Sequence, residues 1–515
     1  MTYFKKTIIQ GTHDDGSIDD IPITNENHLE IEVHGPIHPY GEIHAERLHP
    51  LIQGTATYGI NSTNHRTTTY LSGTVTTSGS MFICSTGTQA LSFGTFQSRR
   101  RAKYRANQGL VARFGVLWSD PVASSIVVAG IGHAESGYFF GYNGTSFGIL
   151  HSNGGVREIR TLTINTKSSH ADSIDITLND VVTPVTVTNG ASAITTASEI
   201  NKTTFTGWVV TSRGNKVIFV ADDVGSKNGT YSLSNATSAA GTFVRSTTGV
   251  VSNDIWIPQT DWNGDQLLGA GSSGITLNKQ KGNVFHIGVQ HGFGNIIFKV
   301  ETVSSNLNNS TFTTVHTIRN PNTRTTPNLT NPSFTFTMSA YSTGSITDVS
   351  VKCGNYGIFN VGDINSIENN YTYSGQITTA TDTTYVPIFT IVNSNEFNGR
   401  ANQSVVNFTS LQGAMKHTQP ATFYLVKNAT LLGSPNFVLY SSSSSTYVDT
   451  ASTSLTFSDN NQVVFSIPVG ETTSFHAVFT HKIDLQPDDS ISVCVKASTG
   501  SPAYCLASLN SSEEQ

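Results

Sequence analysis

The stretch GYFFGYNGTSFGIL, residues 137 to 150, decides how the rest of the chain is read. Two apolar runs of strand length flank Asn143-Gly144-Thr145-Ser146, a cluster of turn formers, so the stretch reads as strand, turn, strand. The same grammar recurs from about Met81 onward. GLVARFGVLW (109 to 118), SSIVVAGIG (124 to 132), NVFHIGVQ (283 to 290) and NIIFKVETV (295 to 303) are each bounded by Gly, Asn, Ser or Asp. Helical windows with apolar residues at i, i+3, i+4 and i+7 are nearly absent. The best is TTASEINKTTF (195 to 205), where Thr195 is the expected cap. Many short strands with closely spaced turns predict an all-β chain of sandwiches or jelly rolls.

Composition agrees. The chain has 515 residues, of which 12% are charged, with a net charge of −6. Abundant Thr, Asn and Ser suit strands and turns better than helices. So little positive charge argues against nucleic acid as a partner. No apolar run reaches the roughly 18 residues of a membrane span, and the first residues, MTYFKKTIIQGTHDDG, carry no secretion signal. The expectation is a protein with neither membrane nor nucleic acid among its partners.

The length predicts several domains. Residues 1–60 form an acidic, His-rich lead-in. Residues 61–162 and 254–365 read as one sandwich, interrupted by a Thr/Ser/Asn-rich block at 163–253. A second sandwich, of jelly-roll type, runs over 366–515 through YVPIFTIVN, ATFYLVKNA, QVVFSIPVG and DSISVCVKA.

Three segments carry a family resemblance. QSRRRAKYRANQGLVARFGVLW, then GIGHAESGYFFGYNGTSFGILHSNGGVREIRTLTI, then DWNGDQLLGAGSSGITLNKQKGNVFHIGVQHGFGNIIFKVET resemble a family of β-sandwich structural proteins of tailed phages and large DNA viruses. The resemblance extends from PYGEIHAERLHPLIQ to NPSFTFTMSAYSTGSITDVSVKCGNYGIFNVGDI and covers most of residues 35 to 365. It implies a concanavalin-like sandwich with a small β-rich domain inserted after the REIRTLTI strand. It also implies a virion location and a fibre, spike or capsid-vertex role, with other virion proteins and a host-surface glycan or receptor as partners. A homotrimer is expected, with residues 1–60 attaching it to the particle. The alternatives are a carbohydrate-binding module or adhesin outside any virion, and a polysaccharide-cleaving enzyme.

Candidate sites follow from residue types. VHGPIHPYGEIHAERLHP (33 to 50) holds His34, His38, His44 and His49, but their irregular spacing and the lack of a nearby cysteine do not make a structural zinc site. Asp261-Trp262-Asn263-Gly264-Asp265 resembles half a calcium loop without its distal acid, and Asx turns explain it better. No metal or other cofactor is expected. In the basic run Ser98 to Arg105, strand alternation puts Arg99, Arg101 and Lys103 on one face. These three form a candidate ligand patch, against the alternative that the run pairs internally with Glu135 and Glu158. Tyr138 and Tyr142 are candidate sugar-stacking aromatics, against the alternative that this strand fills the core, with Phe139 and Phe147 facing inward. No nucleophile elbow, HExxH or P-loop is present, so no catalytic residues are assigned and no enzyme is expected.

Of the four cysteines, Cys494 and Cys505 stand out. DSISVCVKASTGSPAYCLASL reads as a hairpin that would place them opposite one another, a candidate disulfide against the alternative of two buried apolar thiols.

Overall fold

A computed structural model of the chain describes residues 10–12, 18–20 and 48–514, apart from 107, 134, 169–171, 235–238, 304–309, 330, 363–368, 417–419, 459 and 500–502. The described chain is all-β and builds three modules, each with its own apolar core. Most of the expected attachment segment, including His34, His38 and His44, lies outside the described residues. No helix among the described residues is long and apolar enough to cross a membrane.

The largest module is an antiparallel sandwich. One sheet runs in the order Asn253–Pro258, Ser146–Asn153, Ser136–Asn143, Ser125–His133, Phe336–Ser342, Phe93–Ser98, His65–Tyr70. The facing sheet runs Ser310–Ile318, Ile296–Val303, Asn283–Val289, Leu110–Trp118, Ser350–Val361, Met81–Ser85, Thr74–Ser78, with Leu48–Thr55 also paired to Ser350–Val361. Alternation decides what fills the gap between them. Leu110, Ala112, Phe114, Val116 and Trp118 point in from one sheet, Tyr138, Phe140 and Tyr142 from the other. Their rings interlock: Phe140 and Phe285 centroids are 4.7 Å apart, and Phe336 stacks on Tyr356 at 4.2 Å.

The opening stretch folds as the hairpin its composition predicts, with Asn143 opposite Ser146. Gly144, at φ +58°, takes the first turn position, where a type II′ turn favours glycine. One parity differs from the sequence reading. Phe147 does enter the core, but Phe139 lies on the outer face of its sheet. There its ring covers Gly130, Gly132 and Gly137, where any Cβ would collide with it. Small residues on that face made room for a large one, and the apolar run gave no parity to detect this.

The second module spans residues between Arg157 and Thr247. Its sheets are Trp208–Arg213, Lys216–Val224, Arg157–Thr166, Ala240–Thr247 and, facing it, Val181–Val187, Asp172–Leu178, Tyr231–Ser234. The helix Ala193–Asn201 closes its core. Ser192, not Thr195, is the cap: its Oγ accepts from the Thr195 amide at 3.1 Å. The cap therefore stands three residues before the expected one, because the chain leaves the turn at Gly190 already extended at Ser192.

The third module is a jelly roll. Asn369–Ala380, Ala503–Glu514, Val405–Lys416 and Ser474–Leu485 make one sheet. Val386–Asn393, Ser490–Ala497, Ala421–Lys427 and Val463–Val469 make the other, extended by Thr446–Asp449 and Val438–Leu439. Among the eight main strands, leaving out the two that extend the second sheet, the chain crosses from sheet to sheet at every step except from Ala421–Lys427 to Val463–Val469, whose strands are neighbours.

This topology overturns the cysteine hairpin. The strand Ser490–Ala497 and the strand Ala503–Glu514 lie in opposite sheets, so the chain between them crosses the sandwich rather than turning back. Cys494 pairs across strands with Pro387 and Tyr424, whereas Cys505 faces Ile377 and Met415. Both are free, buried thiols in separate apolar clusters.

Candidate functional site: a basic crevice where three modules meet

The basic run lies at the junction of the modules. Arg66 is on the sandwich strand His65–Tyr70, whose neighbour Phe93–Ser98 ends just before Arg99 and Arg101. Arg157 opens the first strand of the second module, which also supplies Val209 and Val220. From the jelly roll come Asn395, Ala401 and Asn402 on one loop and Pro487, Asp488 and Asp489 on another. These residues enclose a crevice of about 270 Å³.

Directional contacts hold the junction. Arg66 pairs with Asp222 at 3.0 Å and Arg100 with Asp484 at 3.0 Å. Arg213 Nη1 reaches Glu396 Oε2 at 2.9 Å, Nη2 donates to the Glu396 carbonyl and the Ser394 hydroxyl, and the guanidinium lies over the Tyr447 ring. Asn395 Nδ2 donates to the carbonyls of Val209, at 3.1 Å, and Ile218, at 3.3 Å. Thr247 Oγ1 donates to the Gly399 carbonyl at 2.7 Å.

Within the crevice the charges are unevenly satisfied. Arg99 Nε donates to the carbonyls of Ser62, at 2.6 Å, and His65, at 3.3 Å. Asp489 is occupied by Lys427, at 2.8 Å, and by Asn428 and the Gln486 amide. Arg157 Nε stands 3.8 Å from Glu135, beyond hydrogen-bond range, and has no hydrogen-bond partner. Arg101 Nη1 is closed off from solvent and also lacks a partner, as does Asn395 Oδ1. Burial, with Arg157 and Arg66 nearby, pushes the Arg101 guanidinium down to about 9, with Glu135 opposing. Burial and the cations Arg101 and Arg157 keep His133 well below the usual histidine range. Asp488 faces the crevice as an exposed residue, accepts a long bond from Thr211 Oγ1 at 3.4 Å, and has its carboxyl raised by the crowding of the crevice wall and by Asp489.

Lys103 is separated from its expected companions. It lines a larger neighbouring crevice, of about 660 Å³, with Glu135, Asn331 and Arg400; the two crevices share Ala401 and Asn402. The run's internal pairing also differs from expectation for Glu158, which is held by Arg160 and Arg245. The REIR strand itself supplies Arg160, the nearer partner.

The aromatic half of the candidate patch is corrected. Tyr138 is 0% and Tyr142 4% exposed, in the sandwich core, where Tyr142 packs on Phe147 and Trp118. Rings without an open face cannot stack on a sugar. In the loop that resembles half a calcium site, the Asp265 carboxylate accepts from the amides of Leu267 and Ser273, at 2.8 and 2.7 Å, and so acts as the expected turn residue. His49 lies half-buried on its strand opposite Asn360.

Arg66, Arg157, Asn395 and Asp488 were not foreseen in the sequence. They come from four distant parts of the chain, and no local pattern joins them.

No family model matches the chain, and no curated protein matches it. Among solved structures, the Faustovirus major capsid protein aligns with 90% of this chain and 90% of its own, at 9% identity and a TM-score of 0.10.

Proposed function

We propose that this chain is a structural protein of a virus particle, of fibre, spike or vertex type, that projects from the particle and meets the host surface. The observation that carries this reading is the architecture: a jelly roll and an inserted β-module pinned by ion pairs to a larger sandwich, a build suited to bearing load. The sequence resemblance to virion β-sandwich proteins supports it. We read the role as assembly and binding rather than catalysis; in support, Glu158 is held by Arg160 and Arg245, and Glu135 has Arg157 at 3.8 Å. The burial of Tyr138 and Tyr142 removes the platform that a sugar-binding module would use there.

The proposed assembly is a homotrimer. The outer face of the jelly roll's four-stranded sheet exposes Val478 (67%) and Leu506 (40%), apolar surface that a neighbouring copy could cover. Sedimentation of the purified chain at micromolar concentration should give the trimer mass, and a clean monomer would reject it. Deleting residues 1–60 should leave folded protein that no longer enters particles. Truncated protein recovered in purified particles would overturn the attachment role.

A further inference from the structure

We propose that the crevice between the three modules is a binding site for a protonated phosphate group, held by Arg101 and Arg157 and flanked by Arg66 and Arg99. The inference does not depend on the virion reading. It starts from three residues that line one small cavity and each carry a buried polar atom without a partner. Arg101 Nη1 and Arg157 Nε are donors without a hydrogen-bond acceptor, and Asn395 Oδ1 is an acceptor without a donor. Buried polar atoms are nearly always satisfied, so such a group calls for a partner. A hydrogenphosphate has what all three lack: anionic oxygens for the guanidiniums, whose fork suits them, and a P–OH that can donate to the amide oxygen.

Charge points the same way. Among the described residues Arg101 forms no ion pair, Arg157 reaches Glu135 only at 3.8 Å, and Asp489 is engaged by Lys427. Arg66, Arg99, Arg101 and Arg157 thus line the crevice against Asp488 and Asp489, an excess of positive charge. Its volume of about 270 Å³ exceeds the roughly 30 Å³ share of a water severalfold, enough for a phosphate with a few waters and too small for a polymer. Each of the three modules contributes a lining residue, so a bound anion would also tie them together.

The test is titration calorimetry and thermal unfolding of the full chain with phosphate, sulfate or chloride at equal ionic strength and pH 7. Phosphate should bind saturably and raise the unfolding temperature. Sulfate, which has oxygens but no proton to donate, should bind roughly tenfold more weakly. Chloride should do neither. Arg101→Met should weaken phosphate binding roughly tenfold or more with an unchanged circular dichroism spectrum. General salting-out stabilisation differs: it grows without saturating and persists in Arg101→Met. Should that variant fail to fold, the ³¹P resonance of phosphate mixed with the unaltered chain decides, since a site must broaden or shift it at stoichiometric amounts. No saturable phosphate effect, or full affinity in Arg101→Met, overturns the site. Equal sulfate affinity overturns the assignment of a protonated anion. Glycerol phosphate, compared with free phosphate at about pH 5.5, where most of the monoester keeps its proton, separates the sources: equal binding identifies surface phosphate monoesters as ligands, whereas loss of binding identifies the free ion.

Discussion

Two buried charges on either side of the module boundary make an instructive contrast. Glu158, fully buried, sits where the second module leaves the sandwich. Its carboxylate accepts from Arg160 Nε and Nη2, Arg245 Nε and the amides of Lys227 and Gly249, at 2.5 to 3.3 Å. Arg101, at the nearby crevice, has a guanidinium nitrogen with no partner; Arg157 and Arg66 crowd it with like charge, and Glu135 opposes them. Burying a charge is tolerated when its lone pairs or protons are used, and is costly otherwise. Glu158 is therefore built to hold the fold, whereas Arg101 is built to hold something else.

The contrast breaks or stands on a pair of variants. Glu158→Ala strands two arginines and two amides, and removing one side of such a buried network costs about 3–5 kcal/mol. Arg101→Met, in phosphate-free buffer, removes an uncompensated charge and keeps the stem's packing, so its stability should stay within about 1 kcal/mol of the unaltered chain or rise. Denaturant midpoints of both variants measure this. Equal losses would mean that Arg101 too is structural.

Arg213 tests the junction itself. Its partners on the jelly roll are Glu396, Ser394 and the Tyr447 ring, and both ends of the ion pair are mostly buried, at 14% and 15% exposure. Arg213→Ala should weaken the contact by about 2–3 kcal/mol, the lower part of the range for a buried charge pair. Calorimetry should then resolve the jelly roll as a separate transition. A single unsplit transition would show that the apolar contact of Ile159, Ile218 and Val220 with Ala401 suffices to couple the modules.

What the sequence made legible follows the range of the interactions. Strand alternation is a local rule, so Leu110–Trp118 and the hairpin at Gly144 could be read directly, whereas the strand Arg157–Thr166, expected to end the sandwich before the inserted block, is an inner strand of the second module. Pairing across sheets is not local. Cys494 and Cys505 stand close in sequence, yet the jelly roll sends their strands to opposite sheets. Likewise Arg99 and Arg101 were visible as charge, but the residues that give that charge a purpose, Arg157, Asn395 and Asp488, arrive only when three modules dock. Tyr138 and Tyr142 failed for a simpler reason: an aromatic strand looks the same whether its rings face solvent or a second sheet.

Asp488 sharpens the comparison through pH. Its carboxyl is raised by the crowding of the crevice wall and by Asp489, against Arg66, Thr211 and Arg99, which favour the ionised form. A carboxyl raised in the folded state destabilises the fold as it ionises: the penalty is absent below about pH 4, the unfolded value, and complete above the raised folded value. Asp488→Asn should therefore match the unaltered chain near pH 4 and become relatively more stable as pH rises to 8. The effect is small, since the side chain keeps contact with crevice water. Phosphate affinity in the unaltered chain should fall over the same upper range, as Asp488 gains charge beside the anion. A pH-independent difference between the two proteins would place Asp488 outside the crevice's electrostatics.

The smallest expected effect is the control for the whole contrast. Tyr138 also carries an orphaned buried atom: its hydroxyl has no partner, and its ring is stacked on His151 in the sandwich core. If lack of a partner alone defined a site, Tyr138 would qualify as well as Arg101. What separates them is surroundings. The Tyr138 hydroxyl is neutral and enclosed by the core, whereas Arg101 is charged and lines a cavity together with two other residues that carry orphaned atoms. Tyr138→Phe removes a polar atom that makes no hydrogen bond, so stability should be unchanged or rise by up to about 1 kcal/mol. Phosphate binding should be untouched. A loss of stability above about 1 kcal/mol would show that the hydroxyl has a partner such as a buried water. A loss of phosphate binding in this variant would show that the affinity reports the state of the sandwich and not the crevice, and Arg101 would lose its special standing.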